Sequence, residues 1–232
     1  LWFFGTRIGL LPLQYDGSFS SPDGITWTQN ANPPWYDNNG NTARNQYQLV
    51  AQNDVSTPKV YMMGGIIDWG SNGIGSLAND VWSTTNGTTW TQINSSAPWS
   101  GRMRAATANF DGKIWLLGGN STISGTMEND VWSSPDGITW TQVTPAAQWI
   151  RRYWHTALGY DGKLWVMGGA TGGCNSQQCT PYLNTSDVWS SPDGANWTLI
   201  TDQAPWGFIN GDYYGRAGHC SVVFDNKMYV IA

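Results

Sequence analysis

Residues 133–142 read SSPDGITWTQ, and the same ten letters stand at 20–29, with STTNGTTWTQ at 83–92 and SSPDGANWTL at 190–199 as further versions. Their tryptophans, Trp27, Trp90, Trp140 and Trp197, lie 63, 50 and 57 residues apart, the size of a four-stranded antiparallel unit. Outward from each copy the same landmarks recur. NDVW stands at 79–82 and 129–132 and SDVW at 186–189, with a decayed Asp16-Gly17-Ser18-Phe19 ahead of the first copy. Before these come the apolar strands VYMMGG (60–65), IWLLGG (114–119) and LWVMGG (164–169), with LWFFGT (1–6) as a relic. Each unit opens on an arginine: Arg102-Met-Arg-Ala, Arg152-Tyr-Trp-His, Arg216-Ala-Gly-His and the weaker Arg44-Asn-Gln-Tyr.

Composition agrees with strands and turns. The chain has 232 residues, 16 of them Trp and 28 Gly, whereas helix formers are scarce: Glu128 is the sole glutamate. Charged residues make up 12%, and the net charge of −5 gives no cationic field for a phosphate backbone, so nucleic acid is excluded as a partner. No apolar run reaches the roughly 18 residues of a membrane-spanning helix. The chain opens on LWFF, without an initiator Met, a basic segment or a cleavage pattern, so any targeting segment is expected to have been removed or left out.

Taken together, an Arg-x-x-His strand, an apolar strand closed by Gly-Gly, an Asp-Val-Trp strand and a later Trp resemble the kelch motif along essentially the whole chain. The expectation is an all-β, kelch-type β-propeller of four-stranded antiparallel blades. One propeller region covers 1–232, in units 1–43, 44–101, 102–151 and 152–215, with 216–232 starting another. About four blades are present. Because LWFF and the C-terminal Lys227-Met-Tyr-Val-Ile-Ala match the same strand, a larger array of five to eight blades is expected, with a fibre of copies joined by open edges as the alternative.

The first and third links of each unit carry hairpin chemistry, Asp111-Gly112, Asp161-Gly162 and Asp225-Asn226 in one and Asp23-Gly24, Asn86-Gly87, Asp136-Gly137 and Asp193-Gly194 in the other. The glycine pairs read as places where no Cβ fits. Antiparallel strands put the second links (66–79, 120–129 and 170–186) and the fourth links on one face. Both sets vary in length and sequence, so this face is the expected binding surface. The resemblance implies the same face.

On it a recurrent Trp precedes each arginine: Trp35 and Arg44, Trp99 and Arg102, Trp149 and Arg152, Trp206 and Arg216. Such a ring offers aromatic faces for a glycan and guanidinium forks for an acidic peptide, although packing between units and internal hydrogen bonding is the stronger reading for residues repeated in every unit. The unrepeated Asp68, Trp69, Tyr182, Asp212, Tyr213 and Tyr214 are the better specificity candidates.

Catalysis finds little support. His155 and His219, the only histidines, occupy repeat positions, as does Trp154, and read as structural; no cofactor and no metal ligand set is expected. Cys174 and Cys179 frame CNSQQC and suit a local disulfide in an oxidising compartment, with free thiols or a metal pair as rivals; Cys220 reads as a small buried hydrophobe. Glycosylation sequons stand at Asn86, Asn94, Asn120, Asn184 and Asn196. The expected function is a non-enzymatic extracellular or cell-surface module that binds a carbohydrate or protein, with a self-associating structural protein as the first alternative and a kelch-type oxidase or glycosidase as the second.

Overall fold

The computed structural model describes residues 2–4, 18–31, 33–35, 44–67, 75–174, 179–209 and 211–231. Among them all regular structure is β except a 3-10 turn at Pro205–Gly207. The first sheet holds β1 (Trp2–Phe4), β2 (Ser18–Ser20) and β3 (Thr28–Gln29). The second holds β4 (Gln48–Gln52), β5 (Lys59–Met63), then, after a short ribbon of β6 (Ile66–Ile67) and β7 (Ser76–Leu77), β8 (Val81–Thr84) and β9 (Thr91–Asn94). In the third are β10 (Ala106–Phe110), β11 (Lys113–Asn120), β12 (Met127–Ser134) and β13 (Thr141–Thr144). The fourth has β14 (Thr156–Tyr160), β15 (Lys163–Cys174), β16 (Cys179–Ser191) and β17 (Thr198–Thr201). A ribbon of β18 (Phe208–Ile209) and β19 (Asp212–Tyr213) leads to the fifth sheet, β20 (Cys220–Phe224) and β21 (Lys227–Ile231). Neighbouring strands in every sheet are antiparallel.

Turn chemistry sets the strand order. Asp111 and Gly112 (φ 52° and 66°), Asp161 and Gly162 (50° and 66°) and Asp225 and Asn226 (48° and 54°) are left-handed at both central positions, which matches the twist of a two-residue hairpin. The SSPDG turns are longer than the two-residue links read from the sequence. Ser134 Oγ accepts from the Gly137 amide at 2.8 Å, and Asp136 Oδ1 accepts from Ile138 and Thr139, each at 2.8 Å. Trp140 then donates its indole N–H to Gly137 O at 2.9 Å, so one short phrase closes its own loop.

The second to fifth sheets pack face to face in succession, with their first strands, β4, β10, β14 and β20, side by side. Strand alternation divides the core between the two sides of each sheet. Ile114 and Leu116 of β11 join a cluster with Tyr61, Met63 and Val81 of the second sheet, while Trp115 and Leu117 join one with Leu164 and Val166 of the fourth. The fourth and fifth sheets meet through Leu158, Met167 and Val188 against Met228 and Val230.

Two sequence readings change. Link 170–186 is largely not a loop: β15 and β16 stay paired past bulges at Met167/Gly169 and Thr171/Gly173 as far as Cys174 opposite Cys179. Cys220 is exposed rather than buried, on the same side of its strand as the exposed Val222 and Phe224. The glycine pairs are sites of close approach. The Gly119 N–H donates to Arg152 O at 3.0 Å, and a Cβ on Gly119 (φ 95°) would lie 2.7 Å from Ala105 Cβ. Gly112, also left-handed, has nothing within 4 Å. Gly119→Ala is therefore expected to cost roughly 2–5 kcal/mol, strain plus collision, and Gly112→Ala only about 1–2 kcal/mol of strain. Denaturant unfolding of the two variants measures the difference.

Candidate functional site

Three of the arginines that open units, Arg44, Arg102 and Arg152, are each the centre of a buried node. Arg102 grips Asp130 through both Nη atoms at 2.7 and 2.8 Å, Arg152 grips Asp187 at 2.7 and 2.7 Å, and Arg44 grips Asp80 at 2.6 and 2.9 Å. The same Nη1 donates to Gly118 O at 2.9 Å and Gly168 O at 2.8 Å, so the guanidinium ties the glycine end of one strand to the Asp-Val-Trp strand beside it. Trp82, Trp132 and Trp189 donate their indole N–H to the same carboxylates at 2.7, 2.7 and 2.6 Å. The preceding Trp completes the node: Arg102 lies 5.9 Å over the Trp99 ring and Arg152 5.7 Å over Trp149.

Arg102, Arg152 and Trp149 are fully enclosed and Trp99 is 1% exposed, while Arg44 is also buried. Trp99 and Trp149 meet Trp140 and Trp197 edge-on at 5.9 and 6.0 Å. This part of the expected ligand ring is internal: its aromatic faces and the Arg102 and Arg152 guanidinium donors are spent inside the stack, while the Trp99 and Trp149 indole N–H groups are buried without a partner. Trp35 is half-buried, 5.0 Å from Trp90 and 5.7 Å from Trp82. Trp206 is half-buried against His219, and Arg216 donates to Gly215 O.

Among the unrepeated candidates, Asp68 and Trp69 lie outside the described residues, and of Tyr182 and Asp212 only the strand positions are described. Tyr213 accepts from the Ser186 amide at 2.8 Å through its hydroxyl, and Tyr214 is 55% exposed. The backbone register sets Cys174 opposite Cys179; their side chains are outside the described set. Of the sequons, Asn86, Asn184 and Asn196 are exposed, Asn94 is half-buried with its amide on Ile138 O, and Asn120 is buried in β11 with no room for a glycan.

Sequence reasoning missed a different set. Gln46, Arg104, Trp154 and Gly218 stand two residues after the unit arginines, all at left-handed φ of 55°, 57°, 53° and 72°. Their backbones form one chain of hydrogen bonds across the sheets: Arg104 N to Gln46 O at 3.2 Å, Trp154 N to Arg104 O at 3.0 Å and Gly218 N to Trp154 O at 2.9 Å. The backbone repeats while the side chains do not. The Arg104 guanidinium lies 4.3 Å over the Trp154 ring and bonds Gln46 Oε1, and Trp154 is 44% exposed. Non-glycine residues held at such angles concentrate where a side chain is being aimed. No sequence signal marks them except that the second residue after each arginine changes in a frame that otherwise repeats.

His155 and His219 lie beside this set, buried. Burial first, and then the positive charge of Arg152, hold His155 well below its usual range; burial and the charge of Arg216 lower His219. Both stay neutral at physiological pH. Among the described residues no group of three His, Cys, Asp or Glu is placed to hold a metal ion, and no helix is long and apolar enough to cross a membrane.

The chain is thus an all-β protein of stacked antiparallel sheets. No protein-family model matches it, and no curated protein does. It is similar in structure to YjhT, with a TM-score of 0.69 and 15% identity over 94% of this chain and 68% of that one. A likeness at that identity concerns the fold alone.

The nodes have a measurable acid signature. Burial pushes the Asp80 and Asp187 carboxyls up, but the bonds and charge of Arg44 and Arg152 outweigh it with help from the Trp82 and Trp189 indoles, so both sit below the usual carboxylate value. Their contribution is present above the unfolded pKa, about 4, and is lost as pH falls through the lower folded values. Melting temperature should hold from neutral to about pH 4 and then fall. Asp187→Asn, which leaves Arg152 buried against an amide, should cost about 3–5 kcal/mol at neutral pH and flatten part of the acid limb; a thermal-melt series over pH reads both.

Proposed function

We propose that this chain is a non-enzymatic binding module with a kelch-type propeller architecture, displayed outside the cell, whose variable-loop face takes a carbohydrate bearing carboxylate groups. The stacking of four-stranded sheets with their first strands side by side supports the architecture. One observation carries the ligand reading: an exposed Trp154 ring with the Arg104 guanidinium 4.3 Å over it, both held at left-handed φ at the start of adjacent first strands. An exposed indole supplies a flat apolar surface for a sugar ring, and the neighbouring guanidinium supplies charge for its carboxylate. Exposed Tyr213 and Tyr214 add aromatic surface in the link before the fifth sheet. The facing Cys174 and Cys179 and the exposed sequons Asn86, Asn184 and Asn196 support an oxidising, extracellular setting.

Calorimetry against acidic oligosaccharides, their neutral counterparts and acidic peptides tests this. Acidic sugars should bind and neutral ones should not. Trp154→Ala and Arg104→Met should each weaken binding by about tenfold or more while the melting temperature stays within a few degrees, since neither belongs to a buried node. Binding of acidic peptides in preference to sugars, or binding indifferent to both substitutions, would overturn the carbohydrate reading.

A further inference from the structure

In two of the buried nodes the guanidinium works in two parts. The Arg102 Nε donates to Ser100 O at 3.1 Å and the Arg152 Nε to Ile150 O at 3.0 Å, while their Nη atoms grip Asp130 and Asp187. An uncharged carbonyl behind the Nε turns the planar fork, and the fork then meets a carboxylate with two bonds. The molecule thus contains its own pattern for how an arginine is set to receive a carboxyl group.

Arg104 repeats the first part of that pattern in a half-buried place. Its Nε donates to Gln46 Oε1, an amide carbonyl, and its guanidinium stands 4.3 Å over the Trp154 ring and 5.5 Å over the Tyr153 ring. Gln46 is itself fixed. Its φ is left-handed, and its backbone carbonyl accepts from the Arg104 amide at 3.2 Å and from Nε2 of the buried Gln48 at 2.8 Å. The counterparts of Gln48 supply no such bond, since Ala106 has no side-chain donor and the Thr156 hydroxyl pairs with His219. The second unit therefore carries an added brace for the residue behind Arg104, as a receptor needs when its side chains must be held before the ligand arrives.

We infer that Gln46 is the positioning residue of the carbohydrate site: it holds Arg104 by the Nε without neutralising it, so that the Nη pair takes the sugar's carboxylate as the Nη pairs of Arg102 and Arg152 take Asp130 and Asp187. The inference rests on the carbohydrate reading above and names the residue that sets the preference for a charged sugar. The uncharged amide is essential to it. A glutamate at 46 would accept the same Nε–H but would present Arg104 with a carboxylate of its own, in competition with the ligand and repelling it.

Calorimetry of the whole chain with an acidic oligosaccharide and its neutral counterpart, read beside proton–nitrogen NMR of the arginine side chains, tests it. Arg104→Lys identifies the Arg104 Nε–H signal by its loss, and wild type should show that proton protected from exchange. Gln46→Met, equal in length but without an acceptor, should lose the protection and weaken binding of the acidic sugar by about tenfold. Gln46→Glu should keep the protection and weaken binding at least as much, whereas a merely structural tether would leave Gln46→Glu binding like wild type. An Nε–H that stays protected in Gln46→Met, acidic-sugar binding unaltered by that substitution, or wild-type affinity in Gln46→Glu overturns the positioning role and leaves the carbohydrate reading standing. Wild type that binds no acidic sugar overturns both.

Discussion

The buried Arg–Asp pair is the constraint on which the rest of the molecule is arranged. A guanidinium taken out of water has to find partners for its donors, and a carboxylate beside it has to find donors for its remaining lone pairs. Arg102 and Arg152 meet that demand with two carboxylate oxygens, a glycine carbonyl, and a carbonyl of the link at Ser100 or Ile150. Those partners come from three separate stretches of a unit. Satisfying one side chain therefore fixes where the link enters, where the apolar strand stops and where the Asp-Val-Trp strand starts. Such a pair is weak as a source of net stability against an apolar substitute; its effect here is to permit one arrangement of the strands.

The glycines and the tryptophans follow from that arrangement. Once the link and the end of the apolar strand are held by the same guanidinium, the next unit's arginine carbonyl comes close enough to accept from Gly65, Gly119 or Gly169, and a Cβ there collides with the backbone. The link tryptophan is left over the guanidinium with its edge toward the next indole, which fills the space between sheets with a large, rigid side chain. Packing between sheets and charge pairing within them are thus one structure, and the repeated phrase records both.

The frame was legible in the sequence because its requirements are chemical and identical in each unit. Asp-Gly and Asp-Asn demand left-handed turns, Gly-Gly demands close backbone, and Trp27, Trp90, Trp140 and Trp197 keep the beat. The stronger of the two readings of Trp99, Arg102, Trp149 and Arg152 matches their enclosure. What was not legible depends on burial and on continued pairing. The ribbon over 170–174 and 179–186 looks irregular because the segment carries no apolar alternation, yet its backbone stays paired past two bulges. Arg104 and Trp154 were hidden for another reason. Their role comes from backbone angles set by neighbours on either side, and a residue type says nothing about an angle that glutamine, arginine, tryptophan and glycine all adopt in turn.

A stack in which each sheet touches chiefly its immediate neighbours has no single core, and cooperativity in such a molecule is passed along a line. The Arg–Asp nodes occur in the second, third and fourth sheets, and the densest clusters lie between them. The third sheet is packed on both faces, by the second sheet and by the fourth. Amide protection should therefore be highest in β11, which neighbours hold from both sides. Cohesion in the described structure is strongest where a sheet is held from both sides at once.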